Sequence, residues 1–242
     1  MPINTLSLFL AGLLWLGQGT LAMAANELPV SSFEAHYEVS SSGIAVGESV
    51  MTLADEGNGR YRMRSEVRPT GLAALLIAEQ LNERVSGEVK DGLIRPASYE
   101  QQRTGVKESQ TTQLTFDWQD ETVNAQSNGE QATLPLEPRV VDPLSLHLLV
   151  MGDLQQGRTP NQYTIVDETE LKTYEVNVEG EETLKTPLGA LRTVRVSRSR
   201  PGSSRVTTLW FAPDLKYLVV QIAQKNEGRE TLRMSIQEVK GL

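Results

Sequence analysis

Segments in which apolar and polar residues alternate recur along most of this chain, and that alternation constrains its fold more than any other feature. Phe33, Ala35, Tyr37 and Val39 share one parity, and polar residues occupy the positions between them. Successive side chains of a β-strand point to opposite faces of a sheet, so this pattern predicts a strand with one buried face. Comparable segments follow as far as residue 239, and turn-forming sequences separate most of them.

The number of these segments predicts a mainly β fold. About a dozen strands with one or two short helices are typical of an antiparallel curved sheet that forms a half-barrel or a barrel, with a large sandwich as the alternative. A parallel sheet is excluded because helices do not alternate with the strands. Residues 134–138 contain two prolines, so we expect them to cross the fold as an extended segment and not to form a central strand.

One segment, residues 142–151, has the features of an α-helix. Asp142 supplies a cap, Pro143 suits the first turn, and Gly152 is expected to end the helix. A helix that is apolar over most of its circumference must be covered on most sides, so we expect it on the concave side of the sheet, as a plug or as a lid. A second apolar stretch, residues 72–78, fits a short helix or an apolar loop over the same side.

The N-terminal residues have the features of a secretory signal. Residues 6–16 form an apolar run that fits a signal peptide and is too short to span a bilayer. We expect a signal peptide at residues 1–24 and a single antiparallel β domain at residues 25–242, soluble in the bacterial periplasm after cleavage. The alternative is an uncleaved anchor over residues 6–24, which the polar sequence GQGT at residues 17–20 interrupts.

The composition narrows the classes of function. The net charge of −8 argues against nucleic acid as a partner, because nucleic-acid-binding proteins need a basic surface. The chain has no cysteine, which excludes disulfides, thiolate catalysis and lipid attachment to an N-terminal cysteine. Beyond the signal, no segment is long and apolar enough to predict a membrane-spanning helix.

Catalytic and metal-binding motifs do not stand out. The two histidines, His36 and His147, are far apart in the sequence, whereas a histidine-based metal site needs ligands at close spacing. We therefore expect no enzyme activity, no metal and no cofactor. Carboxylates at turn-like positions, as in residues 167–170 and 179–182, leave a hydrolase of envelope material as the least favoured alternative.

A group of arginines without an intervening acid is unusual in this acidic chain; its members are Arg192, Arg195, Arg198, Arg200 and Arg205. Strand parity puts Val194, Val196, Arg198 and Arg200 on one face. A basic strand end beside an apolar face suits an amphipathic ligand with an anionic head. We predict these four residues, with Leu148 of the helix, as ligand-binding. The alternative is an edge strand whose arginines prevent unwanted pairing.

Several motifs spread along the chain resemble one known family. They are residues 33–37 (FEAHY), 91–93 (DGL), 116–118 (FDW), 142–145 (DPLS), 186–194 (TPLGALRTV) and 209–214 (LWFAPD). Together they resemble the exported bacterial proteins of the domain-of-unknown-function family numbered 3108. The resemblance implies a periplasmic, largely antiparallel β protein and supplies no catalytic residue. Trp118 and Trp210 lie in these motifs and are expected in the core.

Two hypotheses for the function remain ahead of the hydrolase. The first is a non-enzymatic envelope protein that binds a lipid, or another apolar or amphipathic ligand, in a cavity of the β-sheet. The second is a protein-interaction or envelope-assembly factor that contacts an envelope protein through an exposed edge or apolar patch. A dry, closed core would argue against the first, and a contiguous exposed apolar patch would favour the second.

The signal peptide gives the first testable prediction. Protein recovered from the periplasm should begin at Ala25, because Ala22 and Ala24 are the small residues that a signal peptidase recognises. N-terminal sequencing measures this directly, and material that begins at Met1 would contradict it. Replacing Ala24 with a bulky residue should leave uncleaved precursor at the inner membrane.

Overall fold

A computed structural model describes residues 26–75, 79–105 and 109–242, and in these ranges fourteen strands form one antiparallel sheet. The first meander contains β1 (Phe33–Ser41), β2 (Ile44–Gly57), β3 (Arg60–Pro69), β4 (Gln80–Lys90), β5 (Leu93–Thr104), β6 (Gln110–Asp117), β7 (Thr122–Ser127) and β8 (Glu130–Pro135). The second contains β9 (Gln162–Asp167), β10 (Glu170–Thr186), β11 (Gly189–Ser199), β12 (Arg205–Ala212), β13 (Leu218–Asn226) and β14 (Arg229–Lys240). The helical segments are α1 (Ser145–Gln155) and 3₁₀ helices at Gly71–Leu75 and Pro213–Leu215.

The sheet consists of two meanders joined through the first and last strands. From β1 to β8, and again from β9 to β14, each strand pairs with its neighbour in sequence. The pairing of β1 with β14 connects the two meanders and leaves β8 and β9 as the edges. The sheet is open. Its two edges nevertheless come near each other, because β8 at one edge contacts β10, the neighbour of the other edge strand. This arrangement confirms the predicted mainly β fold with a curved antiparallel sheet.

The sheet curls around α1. The Tyr61 hydroxyl of β3 hydrogen-bonds to Ser145 Oγ over 2.9 Å, and the Tyr163 hydroxyl of β9 donates to Asp153 Oδ2 over 2.8 Å. β3 and β9 are the sixth and the fourteenth strands in the order of the sheet. Strands so far apart contact one helix only if the sheet curves around it, so α1 lies on the concave side as predicted.

The core is one continuous cluster that surrounds α1. Leu144, Leu148 and Met151 are at most 2 % exposed, because strands of both meanders pack against the helix. Trp210 is also buried, and its indole N–H donates to Glu182 Oε1 over 2.5 Å. The predicted burial of Trp210 is therefore confirmed.

Trp118 is only partly buried. Its ring stacks on Phe116 with 6.5 Å between centroids, and the guanidinium of Arg95 lies 5.5 Å from its centroid. The indole N–H donates to the carbonyl of Pro96 over 2.7 Å. Trp118 therefore closes one end of the core and does not lie at its centre.

The helix differs from the prediction at both ends. It runs over Ser145–Gln155 and continues through Gly152, where the sequence predicted its end. The reason is Asp153, a fully buried side chain that forms ion pairs with Arg139 and Arg158 and accepts the Tyr163 hydroxyl. These partners hold the second half of the helix in place beyond the glycine.

Two irregular segments also differ from the prediction. The proline-rich stretch at residues 134–138 begins inside β8, which is possible because β8 is an edge strand and one side of its backbone needs no partner. The chain then crosses to β9, where Val166 N–H donates to Val141 over 2.9 Å. In the other stretch, Leu75 is 81 % exposed, so it does not cover the core; residues 76–78 lie outside the described ranges.

The burial of α1 predicts how a truncation in it affects stability. Leu148→Ala removes a side chain that is 0 % exposed and should lower the free energy of unfolding by about 2–5 kcal/mol. Leu75→Ala is the matched control, because the same truncation at an exposed site should change stability by less than about 0.5 kcal/mol. Urea unfolding followed by tryptophan fluorescence measures both. Equal effects would contradict the position of the helix in the core.

Candidate functional site

The arginine-rich strand is not an edge strand. β11 pairs with β10 on one side and with β12 on the other, while the edges are β8 and β9. The interpretation of its arginines as protection against edge pairing is therefore wrong, because both sides of the β11 backbone are already hydrogen-bonded. Another reason is needed for the concentration of positive charge.

Strand register gathers side chains from four strands around Arg198. Arg198 lies opposite Val176 of β10 and Thr207 of β12, and Thr207 lies opposite Gln224 of β13. Directly paired residues of an antiparallel sheet put their side chains on the same face. Arg198 therefore lies within a wall built from β10 to β13.

A polar cavity of about 490 Å³ opens along this wall, and we call it the basic groove. Its lining residues are Asp167, Lys172, Tyr174, Arg198, Arg200, Ser203, Ser204, Arg205, Thr207, Gln224 and Asn226. Four of them are cationic and one is anionic, so the groove carries a net charge of about 4 − 1 = +3 in a protein whose net charge is −8. The groove is therefore a positively charged region of an otherwise acidic protein.

The lysine and the arginines of the groove differ in how they are paired. Lys172 Nζ lies 3.0 Å from Asp167 Oδ2 and 3.4 Å from Glu168 Oε2. Within the described ranges, no carboxylate lies within 4.0 Å of Arg198, Arg200 or Arg205. Three guanidinium groups therefore line one cavity without an ion-pair partner among the described residues.

Arg198 is the most enclosed of the three arginines. Its guanidinium lies 5.0 Å from the ring centroid of Tyr174, a distance typical of a cation–π contact. Its Nε is buried and has no hydrogen-bond partner among the described residues. Burial lowers the pKa of Arg198 from its ordinary value, whereas Tyr174, Asp167 and Glu83 favour the charged form. A buried cationic donor without an acceptor is costly, so this group is poised to bind an anion.

A second, apolar cavity adjoins the basic groove under α1, and we call it the apolar crevice. It is lined by Leu146, His147, Val150, Tyr163, Tyr174, Val176, Val196, Arg198, Leu209 and Phe211. Its volume of about 20 Å³ holds about one water molecule. Tyr174 and Arg198 line both cavities, so these two side chains form the boundary between them.

His147 is the polar residue that α1 contributes to the crevice. Burial, followed by the positive charge of Arg198, lowers the pKa of His147 to about 4. The imidazole is therefore neutral at physiological pH and presents one donor and one acceptor. The sequence did not predict this contact, because nothing in it placed Arg198 beside the helix.

The predicted ligand-binding residues fall into two groups. Val196 and Arg198 line the crevice, and Arg198 and Arg200 line the groove, so the structure brings these three together. Val194 is 9 % exposed and Leu148 is 0 % exposed; both lie in the core and line neither cavity.

Sequence reasoning missed several lining residues. Lys172 and Tyr174 share parity on a segment that the sequence predicts as a strand, and this alternation was the available signal. Thr207 and Gln224 gave no signal, because their proximity to Arg198 depends on the registers of three strands.

Asp142 holds the start of the helix that covers the crevice. Its Oδ1 accepts the backbone N–H groups of Leu144 and Ser145, each over 2.9 Å, which confirms the predicted capping role. Its Oδ2 is buried without a hydrogen-bond partner among the described residues. Burial raises the pKa of Asp142 to about 6. The hydrogen bonds from Ser145 and Leu144 have the opposite, smaller effect and lower this pKa.

Carboxyl groups with a raised pKa are the feature that would favour a hydrolase. Among the described residues, the carboxyl groups with a raised pKa belong to Asp142, which caps the helix, and to Glu83. Burial raises the pKa of Glu83, and its carboxylate accepts the Tyr99 hydroxyl over 2.7 Å. Each has a structural partner, so their geometry does not indicate a pair of catalytic acids across a cleft.

Comparison with protein families decides the classification. Residues 32–234 match the family described as "Protein of unknown function (DUF3108)". The chain belongs to this family. The match covers β1 to β13 and all of the arginine-rich region, so the groove and the crevice lie within the DUF3108 domain.

One solved structure similar to this DUF3108 protein shares its fold, and two others have a lower structural similarity. A β-barrel-like protein of the DUF1849 family from Brucella abortus aligns with a TM-score of 0.55 and 10 % identity, over 87 % of this chain and 98 % of its own. A protein of Bacteroides fragilis, described as exported and with a YmcC-like fold, has a TM-score of 0.40, 10 % identity, and coverage of 87 % and 96 %. A protein of Parabacteroides distasonis, described as a lipoprotein, has a TM-score of 0.37, 6 % identity, and coverage of 88 % and 97 %. No curated protein matches the sequence.

Two features are absent from the described residues of this DUF3108 protein. Over residues 26–75, 79–105 and 109–242, no helix is long and apolar enough to cross a membrane. In the same ranges, no three His, Asp or Glu side chains are grouped closely enough to hold a metal ion.

The raised pKa of Asp142 predicts a pH-dependent effect of its replacement. Because the folded pKa exceeds the ordinary value of 3.8, ionisation of Asp142 opposes folding, and this cost grows as pH rises from about 4 to above 6. Asp142→Asn keeps the acceptor oxygen and removes the ionisation. Relative to the unmodified protein, its free energy of unfolding should therefore rise between pH 4 and pH 7, by up to about 3 kcal/mol.

Urea denaturation across this pH range measures the difference. Asp117→Asn is the matched control, because Asp117 also accepts two backbone N–H groups through Oδ1 but is exposed at a turn. A pH-independent difference for Asp142→Asn would contradict the buried carboxyl.

Proposed function

We propose that this chain is a non-enzymatic periplasmic protein that binds a small amphipathic anion of the lipid-like class. The anionic head lies in the basic groove, and the apolar part enters the crevice under α1. The observation that carries the proposal is Arg198, a half-buried cation that lines both cavities, whose buried Nε has no hydrogen-bond partner among the described residues. One side chain thereby connects the polar and the apolar halves of the site.

The charge of the groove supports an anionic head. Arg198, Arg200 and Arg205 repel one another, and Lys172 is the groove cation whose charge Asp167 and Glu168 offset. In a partly buried cavity this repulsion is screened less than on an open surface. An anion that binds between the arginines removes the repulsion and supplies the missing acceptor for Arg198 Nε.

The crevice supports an apolar part of limited size. Its walls are aliphatic and aromatic, but a volume of about 20 Å³ admits no alkyl chain in the present conformation. An apolar group enters only if the boundary residues Tyr174 and Arg198 move apart, and a head group bound to Arg198 provides a force for that movement. The free energy needed to open the crevice reduces the net free energy of binding, so we expect a modest affinity.

The N-terminal sequence supports the proposed compartment. The predicted signal peptide at residues 1–24 is expected to direct the chain out of the cytoplasm. Periplasmic localisation without an anchor is the simplest arrangement for a chain that lacks cysteine.

An interaction with an envelope protein remains the second candidate function. Ile44 is 69 % exposed and Leu75 is 81 % exposed, and the 3₁₀ helix that contains Leu75 packs against β2, which begins at Ile44. Two exposed apolar side chains at one end of the sheet suit a protein contact better than a small ligand. Native mass spectrometry of protein from the envelope fraction separates the two functions, because a small ligand and a partner protein add very different masses.

A binding experiment tests the proposed function through Arg198. The unmodified protein should bind decanoate or decyl phosphate with one-to-one stoichiometry, and bind an uncharged decyl glycoside at least about tenfold more weakly. Arg198→Met removes the charge and keeps an apolar side chain of similar length. It should weaken binding of the anion by about tenfold or more, since a charge-assisted hydrogen bond contributes about 1.5–3 kcal/mol. Isothermal titration calorimetry measures each affinity.

The controls separate binding from folding. Arg64→Met makes the same change at an exposed arginine of β3, outside both cavities, and should leave the affinity unchanged. Arg198→Met should unfold at or above the midpoint of the unmodified protein, because it removes a half-buried cation whose Nε has no partner among the described residues. The proposed function would be wrong if neither anion bound to the unmodified protein, or if both variants bound equally well.

A further inference from the structure

We propose that the basic groove recognises a phosphate group, as a phosphate monoester or a diphosphate, in preference to a carboxylate. This inference rests on the proposed function and names the head group of its ligand. The source of the phosphate is the head of a lipid-like molecule or free phosphate, and the groove chemistry is the same for both.

The first argument is the placement of the arginines around one turn. Arg198 is near the end of β11, Arg200 follows that strand, and Arg205 begins β12, so all three surround the connection formed by residues 200–204. Ser203 and Ser204 of that connection also line the groove. The donors therefore approach the cavity from two strands and from the turn between them, which suits a group with acceptor oxygens in three directions.

The second argument is the balance of charge. With the lysine paired to Asp167, the charge that remains in the groove belongs to three arginines. A carboxylate supplies one negative charge and two oxygens, and it would leave two of the three positive charges unbalanced. A phosphate monoester supplies up to two charges and three terminal oxygens, and a diphosphate supplies more, so either matches the groove more closely.

The third argument is the type of cation. A guanidinium presents N–H donors in a planar fork that binds phosphate oxygens in pairs, whereas an ammonium acts as a point charge. The unpaired cations of the groove are all arginines, and the lysine is held by two carboxylates at 3.0 and 3.4 Å. The cavity of about 490 Å³ also has room for a phosphate with its remaining hydration, beside the amides of Gln224 and Asn226.

The test compares two head groups on one tail. At fixed pH and ionic strength, calorimetry should give an affinity for decyl phosphate at least about tenfold higher than for decanoate. The double variant Arg200→Gln/Arg205→Gln keeps Arg198 and should reduce this preference to less than about threefold, because it removes two of the three forks. Both side chains are exposed, so the double variant should fold normally.

A control with the same change of charge guards against general electrostatics. Arg60→Gln/Arg64→Gln alters two exposed arginines of β3 outside the groove and should retain the full preference for phosphate. Equal loss in both double variants would overturn the inference, since net charge and not the groove would then set the preference.

The remaining outcomes separate this inference from the proposed function. If decanoate bound as tightly as decyl phosphate, phosphate recognition would be wrong while the proposed binding of an amphipathic anion would stand. If inorganic phosphate bound as tightly as decyl phosphate, phosphate recognition would stand with free phosphate as its source, and the apolar half of the proposed function would be wrong. If no anion bound, both would be wrong.

Discussion

The pairing of β1 with β14 is the interaction on which the rest of the structure depends. It joins two meanders whose strands otherwise pair with neighbours in sequence. Tyr37 of β1 strengthens the junction, because its ring is 1 % exposed and its hydroxyl donates to the Val219 carbonyl of β13 over 2.8 Å. The junction brings the two ends of the domain together, at the entropic cost of closing a long loop. Once it has formed, one curved sheet contacts α1 from strands as distant as β3 and β9.

The candidate site is a consequence of this curvature. A helix that fills the concave side leaves a narrow crevice beside β10 and β11, and the neighbouring end of the same strands opens into the basic groove. The helix is fixed by buried polar groups at both ends, with Asp142 at its start and Asp153 near its end. These anchors stabilise one wall of the site. The opposite wall contains Arg198, whose buried Nε has no hydrogen-bond partner among the described residues, and this opposes folding.

The sequence predicted the repeating parts of the fold better than the irregular parts. Alternation predicted most of the strands because each has one buried face, and it missed β8, whose Pro135 is tolerated because β8 is an edge strand. The helix was predicted to end at Gly152, because the sequence does not show that Asp153 is buried and paired with Arg139 and Arg158. In the site, parity placed Val196, Arg198 and Arg200 on one face. Parity also selected Val194, and the position of the helix selected Leu148, but the structure buries both residues in the core.

By itself, the sequence determined that the chain forms an antiparallel curved sheet, that one apolar helix must be covered by it, and that arginines with shared parity stand on one strand. These properties follow from local periodicity and from the cost of exposing apolar surface. The tertiary structure alone decided that β11 is an interior strand, that Lys172 and Gln224 join Arg198 in one groove, and that His147 faces the same arginine. The physical reason is that alternation specifies the face of a side chain, whereas pairing register and sheet curvature specify its neighbours.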